Sequence, residues 1–111
     1  MNNEQRIKYE ARAKIAKALA HPARLFMLDW MHDRECSVSE LTAELGLDQS
    51  TVSKHLAVLR EAGIVSVRKA GTTSFYRVSC GCLDGFFTCL ENVLKCDITK
   101  RQQSLAEDSS S

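Results

Sequence analysis

The sequence lacks any long apolar segment. Its first residues, MNNEQRIKYEARAK, are polar and charged, with no hydrophobic run behind them of the kind that forms a signal peptide or a membrane span. We therefore expect a cytoplasmic protein with no membrane partner. The length of 111 residues matches one compact domain with a modest core, which a second copy of the chain would help to complete.

The chain also lacks an overall excess of charge, although its charges are segregated. The net charge of +1 by itself suggests no nucleic-acid partner. Residues 1–20, however, carry +3 and residues 49–79 carry +4, whereas residues 21–48 carry −4 and residues 80–111 carry −2. Ordinary solvated helix faces would explain this alternation as well as a nucleic-acid surface does. The residue types in the second basic segment, residues 49–79, are needed to choose between these two interpretations.

Histidine is scarce, and the three histidines are scattered. His21 precedes a proline, His32 closes a predicted helix and His55 lies inside another. None of them stands with a plausible nucleophile and acid at a shared site. We therefore expect that the protein is not an enzyme.

The spacing of apolar residues predicts four helices in the first half of the chain. The first covers Glu4 to Leu19, and Pro22 suits the first turn of the second, where its missing N–H has no intrahelical partner to lose. The motif SVSE is a capping box, which opens a third helix that ends at Gly46. A brief turn leads to a fourth helix, which ends at Gly63. Two short helices thus meet across a tight turn.

The second half changes its period and then returns to helix. From Ile64 the apolar residues alternate, which predicts a β-hairpin with a glycine-bearing tip. A last helix is expected over residues 83–98. Residues 99–111 are polar and lack periodicity, which predicts a disordered tail. No internal repeat is present.

This order of elements is typical of a winged helix-turn-helix, a mainly α fold with a β-hairpin. In such proteins the second short helix enters the major groove and the hairpin reaches the DNA backbone. The start of the fourth helix carries short or amide-bearing side chains, which can approach base edges and phosphates without steric bulk. A surface helix of indifferent propensity is the alternative interpretation. The predicted DNA contacts on this helix are Gln49, Ser50, Thr51, Ser53, Lys54 and His55.

Two segments resemble a known family. QSTVSKHLAVLREAGIVSVRKAGTTSFYRV resembles the recognition helix and wing of the ArsR/SmtB family of metal(loid)-responsive repressors, and HPARLFML resembles their second helix. The resemblance covers roughly residues 15–98. It implies a homodimer formed through the first and last helices, which an inducer releases from double-stranded operator DNA. On the wing it implies contacts from Arg68 and Lys69, although Thr72 stands where the family often carries an arginine.

The domain boundaries and the operator symmetry follow from this interpretation. Residues 1–98 would form one DNA-binding and dimerisation domain, and residues 99–111 the polar tail. The first and last helices each show an apolar stripe that one small domain cannot fully cover, which supports a dimer independently of the resemblance. Because a two-fold dimer binds a two-fold site, we expect a palindromic operator.

Cysteine is abundant by comparison, with five in the chain and four of them in CGCLDGFFTCLENVLKC, residues 80–96. An odd count in a reducing compartment argues against a disulfide framework and favours metal binding or thiol chemistry. At 100° per residue, Cys82, Cys89 and Cys96 line one edge of the last helix. The alternative is that these cysteines are small hydrophobes that widen the dimer face.

Distance along the helix prevents one chain from completing a metal site. Successive members of this set are seven residues apart, or about 10.5 Å, whereas two sulfurs on one ion lie at most about 4.6 Å apart. If two last helices cross antiparallel, Cys80 and Cys82 come opposite the partner's Cys96. Cys89 would then lie near the two-fold axis, facing its own copy.

The resemblance implies inducer ligands at the start and near the end of the last helix, where Cys80, Cys82 and Cys96 stand. A thiolate set favours soft ions, so arsenite or antimonite is expected first, and cadmium, lead or zinc next. The position that the family often fills with histidine is Val93, which argues against mixed histidine and carboxylate sites.

A second cysteine motif of the family is mostly missing. The paired cysteines that many arsenic and cadmium sensors carry before the first reading helix are Ser37 and Ser39 in this sequence, which leaves only Cys36 nearby. The competing hypothesis is a redox or persulfide-sensing repressor. In it Cys82 and the partner's Cys96, or two copies of Cys89, form a disulfide or polysulfide on oxidation.

Overall fold

The computed structural model describes the backbone from Met1 to Ser109, and the side chains of residues 1–98 and 100–102. Within this range five helices and three short strands follow one another. They are α1 (Asn3–Leu19), α2 (Pro22–Trp30), β1 (Cys36–Ser37), α3 (Val38–Leu45), α4 (Gln49–Glu61), β2 (Val65–Ala70), β3 (Thr73–Val78) and α5 (Leu83–Ser109). The predicted winged helix-turn-helix is confirmed.

Side chains at the helix starts determine where the helices begin. Asn2 and Gln5 form a reciprocal capping box at the start of α1. The Ser37 hydroxyl accepts a hydrogen bond from the backbone N–H of Glu40 at 3.2 Å, which caps α3. At the other end of α3, Gly46 adopts φ 67°, a left-handed conformation that ends the helix.

The wing is the outer part of a three-stranded antiparallel sheet with the order β1-β3-β2. The hairpin pairs Val65 with Val78 at its base and Ala70 with Thr73 at its tip. The sequence predicted the hairpin but not β1, because two residues are too few to show a period. β1 pairs Cys36 with Tyr76, so the segment before α3 is hydrogen-bonded to the wing.

The chain divides into two compact units, Met1–Cys80 and a second unit that begins at Gly81. The core of the first unit comes from the apolar faces of its helices and the base of the wing. Its fully buried side chains are Met27, Leu28, Met31, Cys36, Leu41, Val52, Leu56 and Leu59.

The second unit contains α5, which is longer than predicted. The helix continues to Ser109 instead of ending at Ile98, so the expectation of a tail without regular structure is corrected for residues 99–109. An ion pair between Arg101 and Asp97 at 3.2 Å, one turn apart, supports the extension. Val93, Leu94 and Ile98 are all more than half exposed on this helix.

Candidate nucleic-acid interface and cysteine site

The start of α4 presents the polar side chains that the sequence predicted for DNA contact. Gln49, Ser50, Ser53 and Lys54 are exposed, whereas the opposite side of the helix is buried in the core. Because one side of α4 is held by the core, the polar side is presented to solvent. Its role in DNA binding stays a prediction.

The N-cap of α4 uses two of the predicted contacts. The Asp48 carboxylate accepts hydrogen bonds from the Thr51 backbone N–H at 2.7 Å and from the Ser50 hydroxyl at 2.9 Å. Hydrogen bonds from Thr51 and Ser50 lower the pKa of Asp48, since they stabilise its charged form. The charged form of Asp48 is therefore favoured, and its hydrogen bonds position both residues at the start of the helix.

His55 is oriented differently from the other predicted contacts. It is half-buried, its ring centroid lies 4.4 Å from that of His21, and its Nδ1 lies 3.4 Å from Nη1 of Arg24. Burial lowers the pKa of His55, and the neighbouring His21 and Arg24 lower it further. The ring thus packs against the start of α2, so a base contact from His55, which stays a prediction, would compete with this packing.

The wing carries Arg68 and Lys69, and both are exposed. Arg68 is engaged by Glu35, with Nη2 2.7 Å from Oε2 and Nε 3.2 Å from each carboxylate oxygen. Its guanidinium also lies 5.1 Å from the centre of the Phe75 ring. The predicted phosphate contact from Arg68 would therefore require the bond with Glu35 to open.

A polar cleft of about 250 Å³ lies where the start of α3, the start of α4 and the tip of the wing meet. It is lined by Ser37, Val38, Ser39, Gln49, Thr72, Thr73 and Ser74. Most of these side chains carry hydroxyls, which can donate to phosphate oxygens. The predicted DNA contacts did not include Ser39, Thr73 and Ser74, although the run TTS after Gly71 is a visible signal for hydroxyls at the wing tip.

The four cysteines of residues 80–96 fall into two groups, because Cys80 and Cys82 precede α5 whereas Cys89 and Cys96 lie on it. Cys80 and Cys82 are each disulfide-bonded. Cys89 and Cys96 are free and exposed on α5. In the described part of the chain, no group of three or more His, Cys, Asp or Glu side chains is placed to hold a metal ion. The predicted set of Cys80, Cys82, Cys89 and Cys96 is therefore not assembled within one chain.

Cys36 is a core residue. It is fully buried in β1, and burial raises the pKa of its thiol, with the nearby Glu40 carboxylate raising it further. A buried thiol with a raised pKa has little thiolate character. Cys36 is thus poorly suited to bind an inducer.

No helix in the described residues is both long and apolar enough to cross a lipid bilayer.

The family whose profile matches the chain is described as "Bacterial regulatory protein, arsR family", and the match covers residues 21–67. This segment runs from the residue before α2 to the first half of β2. It contains both short helices of the helix-turn-helix.

Several curated relatives are transcription regulators. The transcriptional activator HlyU of Vibrio cholerae is 44% identical over 80 residues, which cover 71% of this chain and 74% of HlyU. The biofilm growth-associated repressor of Agrobacterium fabrum is 48% identical over 67 residues, 60% of this chain and 57% of that protein. The HTH-type regulator Rv0081 of Mycobacterium tuberculosis is 40% identical over 72 residues, 64% of this chain and 63% of Rv0081. With the last two, the matched region spans less than two thirds of the relative.

Solved structures extend the likeness to most of the chain. The crystal structure of M. tuberculosis Rv0081 superposes with a TM-score of 0.75 at 34% identity and covers 84% of this chain and 94% of that one. Reduced HlyU from V. cholerae superposes with a TM-score of 0.70 at 35% identity and covers 83% of this chain and 97% of that one. The homodimeric winged helix-turn-helix domain of Mb0332 from Mycobacterium bovis superposes with a TM-score of 0.77 at 26% identity. It covers 88% of this chain and 91% of that one. From these likenesses, and from the helix-turn-helix and wing described above, the chain belongs to the ArsR family of bacterial transcription regulators and is not an enzyme.

Proposed function

We propose that this regulator is a homodimeric repressor, released from a palindromic operator when its last-helix cysteines bind a soft metal(loid) ion. Arsenite or antimonite is the preferred inducer, followed by cadmium or lead and then zinc. The observation that carries the proposal is that Cys80 and Cys82 stand two residues apart immediately before α5, while Cys96 is free and exposed on that helix.

Two cysteines that can form a disulfide can also bind one ion together once they are reduced. Cα atoms two residues apart are separated by at most about 7 Å, which is within the limit for a disulfide, and two electrons and two protons convert such a disulfide into two thiols. Sulfurs this close can approach the separation of about 4.6 Å that two metal-bound thiolates reach. The reduced pair would thus supply two soft ligands from one chain.

The third ligand would come from a second chain. Cys96 is exposed and free. The helical rise of about 1.5 Å per residue places it about 20 Å from the start of α5. Cys96 therefore cannot reach the ion bound by its own Cys80 and Cys82, but the partner's Cys96 would reach it if two copies of α5 cross antiparallel. The exposed Val93, Leu94 and Ile98 support this arrangement, because a second copy of α5 would cover them.

A second candidate function uses the same cysteines without a metal. Cys80 and Cys82 are each disulfide-bonded, which is an oxidised state of a thiol, and the related V. cholerae protein HlyU is known in a structure described as reduced. In this alternative, loss of two electrons and two protons to a mild oxidant joins Cys80 to Cys82 and releases the operator. Persulfide chemistry at the same pair belongs to this class.

One titration separates the two candidates. The fully reduced protein is bound to labelled operator DNA, and fluorescence anisotropy is followed as arsenite, cadmium or a mild oxidant is added under anaerobic conditions. The proposal expects release by arsenite at a ratio near one ion per chain. Release by oxidant alone, with both metals inert, would establish the redox alternative and overturn the metal proposal.

Single cysteine variants then test the ligand set. Cys96→Ser should remain on the operator at arsenite concentrations that release the wild type, because the ion loses its cross-dimer ligand. Cys89→Ser is the matched control on the same helix and should still be released, since Cys89 is not one of the three proposed ligands. If the Cys96 variant is released as readily as the wild type, the cross-dimer site is wrong and the DNA-binding assignment is unaffected.

A further inference from the structure

A second cleft lies in the first unit, away from the cysteines. It has a volume of about 290 Å³ and lies where the end of α1, the start of α2 and the end of α4 meet. Its lining combines three basic side chains, one carboxylate and three small apolar side chains, namely Lys14, Lys17, Arg24, Glu61, Ala18, Val58 and Ala62. Nothing in the DNA-binding or cysteine chemistry described above uses this cleft.

Arg24 supplies a donor that has no acceptor among the described residues. Its Nε is buried and makes no hydrogen bond with the described residues. The two other guanidinium nitrogens make only long contacts, Nη2 with the Lys17 carbonyl at 3.4 Å and Nη1 with Nδ1 of His55 at 3.4 Å. A buried N–H of a charged group is costly to leave unpaired, and an anion is its best partner.

We propose that this cleft binds a small organic carboxylate as an effector. Because Nε is closed to solvent, Arg24 would turn towards the cleft so that the carboxylate accepts its hydrogen bonds, and the ligand would lie beside the ammonium groups of Lys14 and Lys17. A short apolar body would contact Ala18, Val58 and Ala62. The volume is at the lower end of the range of about 300–1,000 Å³ for small-molecule sites, so the ligand is short.

Glu61 determines which anions fit. Its carboxylate lies on the wall of the same cleft, so a second negative charge on the ligand would be repelled there. A monocarboxylate with an apolar chain is therefore favoured over inorganic phosphate. This difference makes phosphate an informative comparison.

The cleft borders α4, the helix that is proposed to contact DNA. Arg24 contacts His55 in the middle of α4, and Val58, Glu61 and Ala62 belong to the last turn and C-cap of the same helix. A carboxylate that draws Arg24 towards the cleft would weaken its contact with His55 and change how α4 is held. This coupling rests on the proposed operator binding, whereas binding of the carboxylate itself does not.

The test uses the full reduced chain and hexanoate as the probe. Backbone amide chemical shifts are recorded by NMR as hexanoate, hexan-1-ol or inorganic phosphate is added. The proposal expects saturable shifts with hexanoate that are largest at Ala18, Arg24 and Ala62, and weaker or no saturation with the alcohol and with phosphate. The proposal would be overturned if hexanol bound as tightly as hexanoate or if phosphate bound in place of hexanoate. It would also be overturned if the shifts with hexanoate did not saturate.

Variants of exposed residues test the site without disturbing the core of the protein. Lys14→Gln and Lys17→Gln should each weaken hexanoate binding about threefold, on the scale of one exposed ion pair. Glu61→Gln should tighten it, and Lys8→Gln, on α1 outside the cleft, should leave it unchanged. Equal affinities across these variants would contradict the proposed site. If hexanoate binds as expected but operator affinity does not respond, the carboxylate site stands and its role as an effector site is wrong.

Discussion

The carboxylate of Glu35 holds the guanidinium of Arg68 through hydrogen bonds to both Nε and Nη2, the shorter of them 2.7 Å long. The bond lowers the pKa of Glu35 and raises that of Arg68, because each charge stabilises the other. Glu35 directly precedes β1, and Arg68 lies on β2 of the wing. One of the two cations that the wing would offer to DNA, Arg68, is thus already paired within the protein.

We predict that Glu35→Gln strengthens operator binding. Without the carboxylate, Arg68 is free to contact a phosphate, so the slope of log K against log salt should become steeper by about one per subunit. Fluorescence anisotropy across a salt series measures both effects. Glu44→Gln makes the same change of charge at an exposed position of α3 and is the control. If the two variants show equal slopes, Glu35 does not compete with DNA for Arg68.

The hydroxyls of the polar cleft and the basic residues should show different salt behaviour. Ser39→Ala combined with Thr73→Val removes neutral donors, so affinity should fall about two- to tenfold per hydroxyl while the salt slope stays unchanged. Lys54→Gln and Lys69→Gln should each reduce the slope by about one per subunit, because each removes a cation that displaces counterions. A salt slope that falls in the hydroxyl double variant would argue against neutral phosphate contacts in this cleft.

The pH dependence of stability should report on His55. Its pKa is lowered from 6.5 in the folded chain, so below that pH the unfolded chain binds a proton that the folded chain resists. Stability is therefore unaffected well above pH 6.5 and decreases as the pH falls through that value. Urea unfolding at several pH values should show a smaller decrease for His55→Gln than for the wild type. His32→Gln is the comparison at an exposed position.

Thiol labelling should separate the cysteines by environment. In the oxidised chain, iodoacetamide should modify Cys89 and Cys96 but not Cys36, which is buried and has a raised pKa. After mild reduction, Cys80 and Cys82 should become reactive as well, and Cys36 only after denaturation. Peptide mass spectrometry identifies each modified residue. Rapid labelling of Cys36 in the folded protein would contradict its placement in the core.

The sequence predicted the fold well where its signals are local. Helix boundaries followed from Pro22, from the Ser37 cap and from Gly46, each of which acts on its own turn of the chain. The two-residue strand β1 was missed, because its pairing with Tyr76 depends on a contact forty residues away in sequence. The end of α5 was placed too early, since a polar composition does not distinguish an exposed helix from an irregular tail.

The candidate sites depended more strongly on tertiary structure. Periodicity placed the polar side chains at the start of α4, and it predicted that Cys82, Cys89 and Cys96 share one edge of the last helix, whereas Cys82 lies just before α5. Periodicity did not indicate that Arg68 is paired with Glu35, that His55 packs on His21, or that Arg24 has an unpaired donor beside a cleft. The contacts of Arg24 with His55, of Arg68 with Glu35 and of His55 with His21 join residues that are 31 to 34 positions apart in sequence. No local pattern can indicate them.

By itself, then, the sequence determined the five helices and the hairpin, which face of each is apolar, and which chemical groups are available for the proposed contacts with DNA and with an ion. These properties depend on neighbouring residues, through backbone geometry and the helical or strand period. Only the tertiary structure decided which of those groups are free to act. The burial of Cys36, the pairing of Arg68 and the orientation of His55 arise from packing between distant segments, and burial and pairing control both charge and access.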